Sequence, residues 1–308
     1  MKKKIMFIAA PILAIIAVIV ILPMFISNTS NNNHENSNNL NPTNFNVPST
    51  NGTMRIVHIT HNVEGTPEFV DLYPDRYLFD TNYAADPSGT VESVAISLKP
   101  ELMNFYREIG FFDRPSTSVV IYPMFTQKAY GENGFYYYYS HKCDSHCLTL
   151  SIPSHIERMF EASGRATAIL QLLHYDFVTD LQVDSNPDIL KKYNKVIVLH
   201  NEYVTQKEFD AITSHPHVVY LFPNALYAKV NVNYDNGTFT LVRGHGYPDP
   251  NIENGFNWKL DNSQFEYDIK CDSWKFYNVT NGKMLNCYPA YRLMYDKELL
   301  QELAKPLN

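Results

Sequence analysis

The sequence predicts an α/β domain built on a parallel, doubly wound sheet with β-hairpin additions, preceded by one transmembrane helix. Three observations predict it. The run Lys195 to His200, KVIVLH, is almost continuously apolar, as a strand covered on both faces must be. Around it, from about Gly164 to Phe222, helical and strand patterns alternate with short joints, which is the signature of βαβ units. At the amino terminus, Lys2, Lys3 and Lys4 precede 22 uncharged residues, Ile5 to Ile26. A helix rising about 1.5 Å per residue needs ~20 such residues to cross a bilayer.

Taken in order, the chain divides into residues 1–27, cytoplasmic lysines and membrane anchor, 28–53, a stalk, and 54–308, one globular domain. The apolar run is longer than a signal-peptide core and no small-x-small site follows it, so it reads as an uncleaved anchor. The lysines on its leading side keep the amino terminus cytoplasmic and send the domain outward. The stalk carries eleven Asn between Asn28 and Thr53 and too little apolar surface to offset the entropy of ordering. Sequons at Asn28, Asn51, Asn236 and Asn278 are candidate glycosylation sites.

Within the domain, Arg55 to Thr60 and Ser118 to Phe125 read as buried strands, with a Pro-initiated helix from Pro100 to Ile109 between them. Phe135 to Ser140 and Leu148 to Ile152 read as strands of a hairpin. Ala166 to Leu173 reads as a helix, Phe177 to Val183 as a strand, and Pro187 to Tyr193 as a helix capped by Asn186. Thr205 and Glu208 form a T-x-x-E capping box for a helix that His215-Pro216 ends. Val218 to Phe222 is the next strand. Tyr227 to Tyr234 and Thr238 to Arg243 form a hairpin about Asp235-Asn236-Gly237, and a helix near Lys297 to Leu303 closes the chain.

Composition excludes some functions. With 25 Lys and Arg against 32 Asp and Glu, and no basic cluster beyond the first four residues, there is no nucleic-acid footprint. The membrane, a small molecule or a protein remains as partner. No G-x-S-x-G, H-E-x-x-H, Walker or G-x-G-x-x-G motif occurs, so serine hydrolase, zincin, nucleotidase and dinucleotide readings lack support. An even cysteine count in an exported domain predicts disulfides, by proximity Cys143 with Cys147 and Cys271 with Cys287. The alternative is a zinc or copper site of His141, Cys143, His146 and Cys147 in SHKCDSHC.

Open parallel sheets bind ligands beyond the carboxyl ends of their strands. Those ends deliver His61, with Glu64 behind it, then Asp180, then His200, Glu202 and Tyr203, and then Asn224, while a Gly-His-Gly loop adds His245. His200, Glu202 and His245 are the catalytic candidates, and His61, Asp180 and Asn224 the ligand-binding ones. Together they offer imidazole, carboxylate and amide groups for a metal or for acid/base work. Tyr136 to Tyr139 reads as alternating faces of a strand.

The stretch from Ala166 to Ala228, centred on LKKYNKVIVLHNEYVTQKEFDAI, resembles the class I glutamine amidotransferase-like fold, a flavodoxin-like arrangement. In particular it is similar to the carboxy-terminal domain of the dimethylformamidase large subunit, where a similar H-x-E-Y segment follows a strand. This covers about a fifth of the chain. No cysteine stands where that fold carries a nucleophile, so glutamine hydrolysis is not implied. The dimethylformamidase resemblance implies an iron held by tyrosine and glutamate oxygens, carried here to Glu202 and Tyr203. The whole chain also resembles exported proteins of ammonia-oxidising archaea, from which no activity follows. The reading from sequence is an anchored surface protein with a ligand-binding or structural role. Its alternative is a surface hydrolase acting on a C–N bond, with iron or zinc as the candidate metal.

Overall fold

The computed structural model describes residues 25–26, 57–63, 66–72, 76–85, 91–111, 117–156, 161–258, 265, 268, 271–289 and 292–307. Two antiparallel units come first. β1 (Phe25–Ile26), β2 (Val57–Val63) and β3 (Thr66–Leu72) form one, and β4 (Phe79–Ala85) with β5 (Val91–Leu98) forms the other. α1 (Met103–Glu108) precedes β6 (Ser118–Tyr122), which α2 (Met124–Tyr130), α3 (Phe135–Tyr139) and β7 (Thr149–Ser151) follow. Next are α4 (Glu161–Leu172), β8 (Asp176–Thr179), α5 (Asp180–Ser185), β9 (Lys195–Val198), β10 (Tyr203–Val204), α6 (Gln206–Ser214) and β11 (Val218–Tyr220). The chain closes with β12 (Ala228–Asn233), β13 (Thr238–Arg243), β14 (Phe276–Val279), β15 (Gly282–Leu285), α7 (Arg292–Tyr295) and α8 (Lys297–Ala304).

The expected parallel sheet is present. Its order is β8-β6-β9-β11-β15-β14, parallel throughout except for the antiparallel edge strand β14. Alternate residues of its central strands face two separate cores. Val120, Ile197 and Val219 pack with Tyr106 of α1, Ile169 of α4 and Leu299 of α8. Val119, Val196, Val198 and Val218 pack with Val183 of α5 and Ile212 of α6. Burial on both faces is why KVIV is apolar at every position but its first, and Lys195 is no exception in space. Its stem is buried and its Nζ donates to the carbonyls of Leu303 and Lys305 at the carboxyl end of α8, at 2.6 and 3.0 Å.

A second, smaller sheet, β10-β12-β13-β7, packs with α2 and α3 around a third core of Phe125, Phe135, Tyr203 and Phe239. It is built on the expected hairpin, whose turn has Gly237 at φ 66°. The capping of α6 by Thr205, whose side chain accepts from Glu208 N, is also as expected.

Several expectations are corrected. Of the strand expected at Arg55 to Thr60, residues 57–60 belong to β2 and Arg55 and Ile56 lie outside the described residues; β2 pairs antiparallel with β3 in a register that sets Val63 against Thr66, so His61 lies outside the parallel sheet. Adjacent strands joined so closely form a hairpin before any crossover. Phe135–Tyr139 is helical, not a strand, and β7 pairs with β13 instead of closing a hairpin across the cysteines. Aromatic strand propensity yields here to the packing of Phe135 against Tyr203 and Phe239. β8 stops at Thr179 because Thr179 and Gln182 make a capping box that opens α5. Pro187–Lys192 is a 3-10 turn whose Asn186 makes no side-chain cap.

Both disulfides, Cys143–Cys147 and Cys271–Cys287, are formed, with Cα separations of 6.1 and 5.3 Å, so these cysteines are not metal ligands in this state. Residues 5–24 of the expected span, the stalk, Asn28, Asn51 and Glu64 lie outside the described residues, while Phe25–Ile26 is extended and pairs with Thr60 and Ile59. Among the described residues no helix is long and apolar enough to cross a membrane.

The central strand gives the first prediction. Ile197 is fully buried, so Ile197→Ala should cost roughly 2–5 kcal/mol in urea unfolding, whereas Asn236→Ala on the exposed turn should change stability by less than about 0.5 kcal/mol.

Candidate functional site

The parallel strands β6, β8, β9, β11 and β15 are met by the chain in that order, so β6, the first, sits between the second and the third. The connection from β6 to β8 includes α4 on one face and that from β9 to β11 includes α6 on the other, so the point beyond the carboxyl ends of β6 and β9 is where such a sheet places its ligand crevice. Four neighbouring strands deliver polar groups there. Tyr130 ends the helix after β6, His200 and Glu202 follow β9, Asn224 follows β11 and Tyr288 follows β15.

Glu202 is the centre. Its side chain has no exposed surface. Its Oε2 accepts from the Tyr130 hydroxyl at 2.7 Å and from Asn224 Nδ2 at 3.2 Å, with His200 Nε2 at 3.3 Å. Its Oε1 faces the Tyr136 hydroxyl at 3.1 Å and His245 Nε2 at 2.9 Å. Around this ring, Asn224 Nδ2 is 2.8 Å from His200 Nε2, and the Tyr288 hydroxyl is 3.2 Å from His200 Nδ1. Burial works against ionisation of Glu202, but the hydrogen bonds and charge of His200 and His245 outweigh it and hold its carboxyl well below the usual range.

Local structure explains how these groups are presented. The turn between α2 and α3 brings Tyr130 and Tyr136 together, with hydroxyls 2.8 Å and ring centroids 4.2 Å apart. Gly134 makes that turn possible, since a Cβ there would fall 2.2 Å from the Ala129 carbonyl oxygen. Asp180 accepts from the backbone N–H of Phe125 at 2.9 Å and so pins the first turn of the helix that ends in Tyr130. His245 sits on a loop where Gly244, His245 and Gly246 all have positive φ, a strained state for a non-glycine residue. A Cβ on Gly244 would lie 2.9 Å from Ala228 Cα, which is the close backbone approach expected of the glycines beside His245. His245 is 27% exposed and forms the open rim of the site.

Of the residues picked out in the sequence, His200, Glu202, Asn224 and His245 converge. Tyr203 belongs to the wall. Its hydroxyl is buried without a hydrogen-bond partner, as is that of Tyr139, and the Tyr203 ring stacks 6.3 Å from His245. Asp180 is not in the site but in a separate buried acidic group with Asp184 and Glu208; burial raises the pKa of Asp180 despite its backbone hydrogen bonds. His61 is on β2, in the sheet apart. Tyr130, Tyr136 and Tyr288 were not anticipated. The Gly-x-x-Gly turn between Tyr130 and Phe135 is a signal for Tyr130 and Tyr136, and no local signal marks Tyr288.

No known protein family matches this chain, and no curated protein matches it. The chemistry of the site therefore rests on its atoms. Tyr130, Tyr136, Glu202 and His245 make five mutual contacts of 2.7–3.1 Å, while two hydroxyls and one imidazole nitrogen supply three hydrogens at most. Lone pairs outnumber protons. Ligands held about 2.1 Å from one ion at right angles stand about 3 Å apart, which is the spacing here. The arrangement offers three oxygen donors, two phenols and a carboxylate, with the His245 nitrogen beside them. A surface groove of about 750 Å³ between the end of α1 and α8, lined by Ile109, Trp274 and Lys305, shares none of these residues.

Two outcomes follow for Glu202. Glu202→Gln should destabilise the protein by roughly 3–5 kcal/mol at neutral pH, because it breaks a buried charged network. Because the folded pKa is depressed, the stabilisation by Glu202 is complete above about pH 4.3 and is lost as pH falls through the folded value. The stability gap between wild type and Glu202→Gln should therefore narrow between about pH 5 and about pH 3 in thermal unfolding.

Proposed function

We propose that the domain is a metal-dependent hydrolase that opens an amide C–N bond with an iron ion held by Tyr130, Tyr136 and Glu202, and that it is displayed outside the cytoplasmic membrane on an amino-terminal span and stalk. The observation that carries this reading is the proton-poor convergence of two phenols, a carboxylate and an imidazole on a fully buried Glu202. Phenol and carboxylate oxygens are hard donors that suit a hard cation, whereas soft thiolate sets select zinc or copper(I). The resemblance to dimethylformamidase points to the same metal and the same bond. The strand order agrees with a flavodoxin-like or glutamine amidotransferase-like doubly wound sheet, whose ligand crevice lies between the first and third strands, where Tyr130 and Glu202 stand.

A bound iron would polarise a carbonyl oxygen and make a bound water more acidic. The chain's own groups do the rest. Glu202 stays ionised and supplies negative charge to the cation. Asn224, donating to Glu202 Oε2, fixes the carboxylate plane, and His200, held by Tyr288, backs it. His245, at the exposed rim with Nε2 between Tyr136 and Glu202, is the base nearest an incoming water and takes its proton. Tyr139 and Tyr203 form an aromatic wall that keeps bulk water from the buried side.

Export is supported by the uncharged run behind Lys2, Lys3 and Lys4 and by the oxidised state of all four cysteines. Externally added protease should remove the domain from intact cells, and complete protection would refute the topology.

Elemental analysis of the purified full-length protein tests the metal. Near-stoichiometric iron is expected, lost in Glu202→Gln and in Tyr136→Phe together with hydrolysis of small amides, and Asn224→Ala should weaken iron binding by roughly 10–100-fold. Metal-free protein from iron-replete cells, or iron retained in both ligand variants, would overturn the reading.

A further inference from the structure

The two disulfides are built differently. Cys271 and Cys287 are fully buried in the core shared by α1, α4 and α8, and they close a separation of 16 residues. Cys143 and Cys147 close a separation of only four, where a crosslink removes little entropy from the unfolded chain. Cys143 is partly exposed, and its neighbours His141, Lys142, Asp144, Ser145 and His146 are exposed. Beside it stands an oriented imidazole. His146 Nε2 is 3.3 Å from Cys143 Sγ, while His146 Nδ1 is 2.5 Å from Asp144 Oδ1, and that same carboxylate oxygen accepts from His146 N at 2.8 Å. Asp144 thus fixes both the turn and the ring, leaving Nε2 aimed at sulfur. His146 Nε2 and both sulfurs lie within 4.8 Å of one another. A structural staple has no use for a histidine so held in open solvent.

We propose that Cys143–Cys147 is a redox-active disulfide that exchanges with dithiol and disulfide partners, with His146, positioned by Asp144, serving its sulfurs. This inference is independent of the metal centre. In the reductive direction a partner thiolate attacks Cys143, the accessible sulfur. The S–S bond breaks and its electron pair stays on Cys147, which takes up a proton. The partner's second thiolate then attacks its own sulfur in the mixed disulfide and expels Cys143 as a thiolate beside His146 Nε2, which stabilises and protonates it. Two electrons and two protons pass from the dithiol to the protein, and the partner leaves as a disulfide. The reverse sequence reduces a disulfide partner. The pair is also tied to the helix carrying Tyr136, since Lys142 N and Cys143 N both donate to the Tyr137 carbonyl at 2.9 and 3.2 Å.

The test equilibrates the full-length protein across a series of reduced-to-oxidised dithiothreitol ratios, traps free thiols by alkylation and locates them by peptide mass spectrometry. Cys143 and Cys147 should become half-reduced at a ratio at least tenfold lower than Cys271 and Cys287. His146→Ala, a change to an exposed side chain that leaves the packing intact, should raise that ratio several-fold and slow the exchange, and Asp144→Asn should act in the same direction more weakly. Reduction of both pairs at the same ratio, or a midpoint and rate untouched by His146→Ala, would overturn the proposal.

Discussion

A carboxylate removed from water governs the carboxyl-end half of this structure. Ionised Glu202 with no exposed surface is tolerated only if its surroundings replace the solvent it has lost, and every element that reaches the crevice contributes to that replacement. Tyr130 and Asn224 donate to one oxygen, and Tyr136 and His245 meet the other. Behind this ring, Tyr288 meets His200 and Asp180 holds the start of α2, so residues that never touch Glu202 still fix the angle from which it is approached. The carboxylate therefore ties the ends of β6, β9, β11 and β15 to the loop after β13.

That convergence follows from strand order. Because β6 lies between β8 and β9, its outgoing chain and that of β9 diverge to opposite faces, and nothing in the sheet fills the gap between them. The smaller sheet fills it from outside. Its core residues Phe135, Tyr203 and Phe239 pack edge to face, and the same short elements that supply these rings, α3 and β10, bring Tyr136 and Glu202 to the site. Scaffold and chemistry are separated by one residue in each case, Phe135 beside Tyr136 and Tyr203 beside Glu202.

Legibility in the sequence tracked how local the determining physics is. β9 was plain because burial on both faces leaves no other composition for KVIV, and α6 was plain because Thr205 satisfies its first turn with its own side chain. His200, Glu202, Asn224 and His245 could be found as the residues just past strand ends or inside a glycine-flanked loop. The tyrosines could not be found in that way. Phe135–Tyr139 carries strong strand propensity, and only the contacts of Phe135 with residues 68 and 104 positions away turn it into a helix that places Tyr136 and Tyr139 on one side, both against His245. His61 was misplaced for the complementary reason: β2 has an apolar pattern suited to a central strand, but its partner is the strand next to it in sequence.

The tyrosines also bear on the ligand proposed for this site. Burial pushes the Tyr130 hydroxyl pKa well up and the charge of Glu202 pushes it further, and Tyr139 and Tyr203 are raised for the same two reasons, joined by Tyr136 in the case of Tyr203. An anion entering this space would meet the same Glu202 charge that raises these phenols. A neutral organic molecule would not pass between Tyr130 and Tyr136, whose ring centroids are 4.2 Å apart, and would reach the site only from the His245 rim. A small cation meets neither obstacle. It would lower the cost of the Glu202 charge and let the phenols ionise, and it would need only the space between atoms already about 3 Å apart. The packing that hides Glu202 from water is thus also what makes a small cation, as proposed above, a fitting partner for its charge.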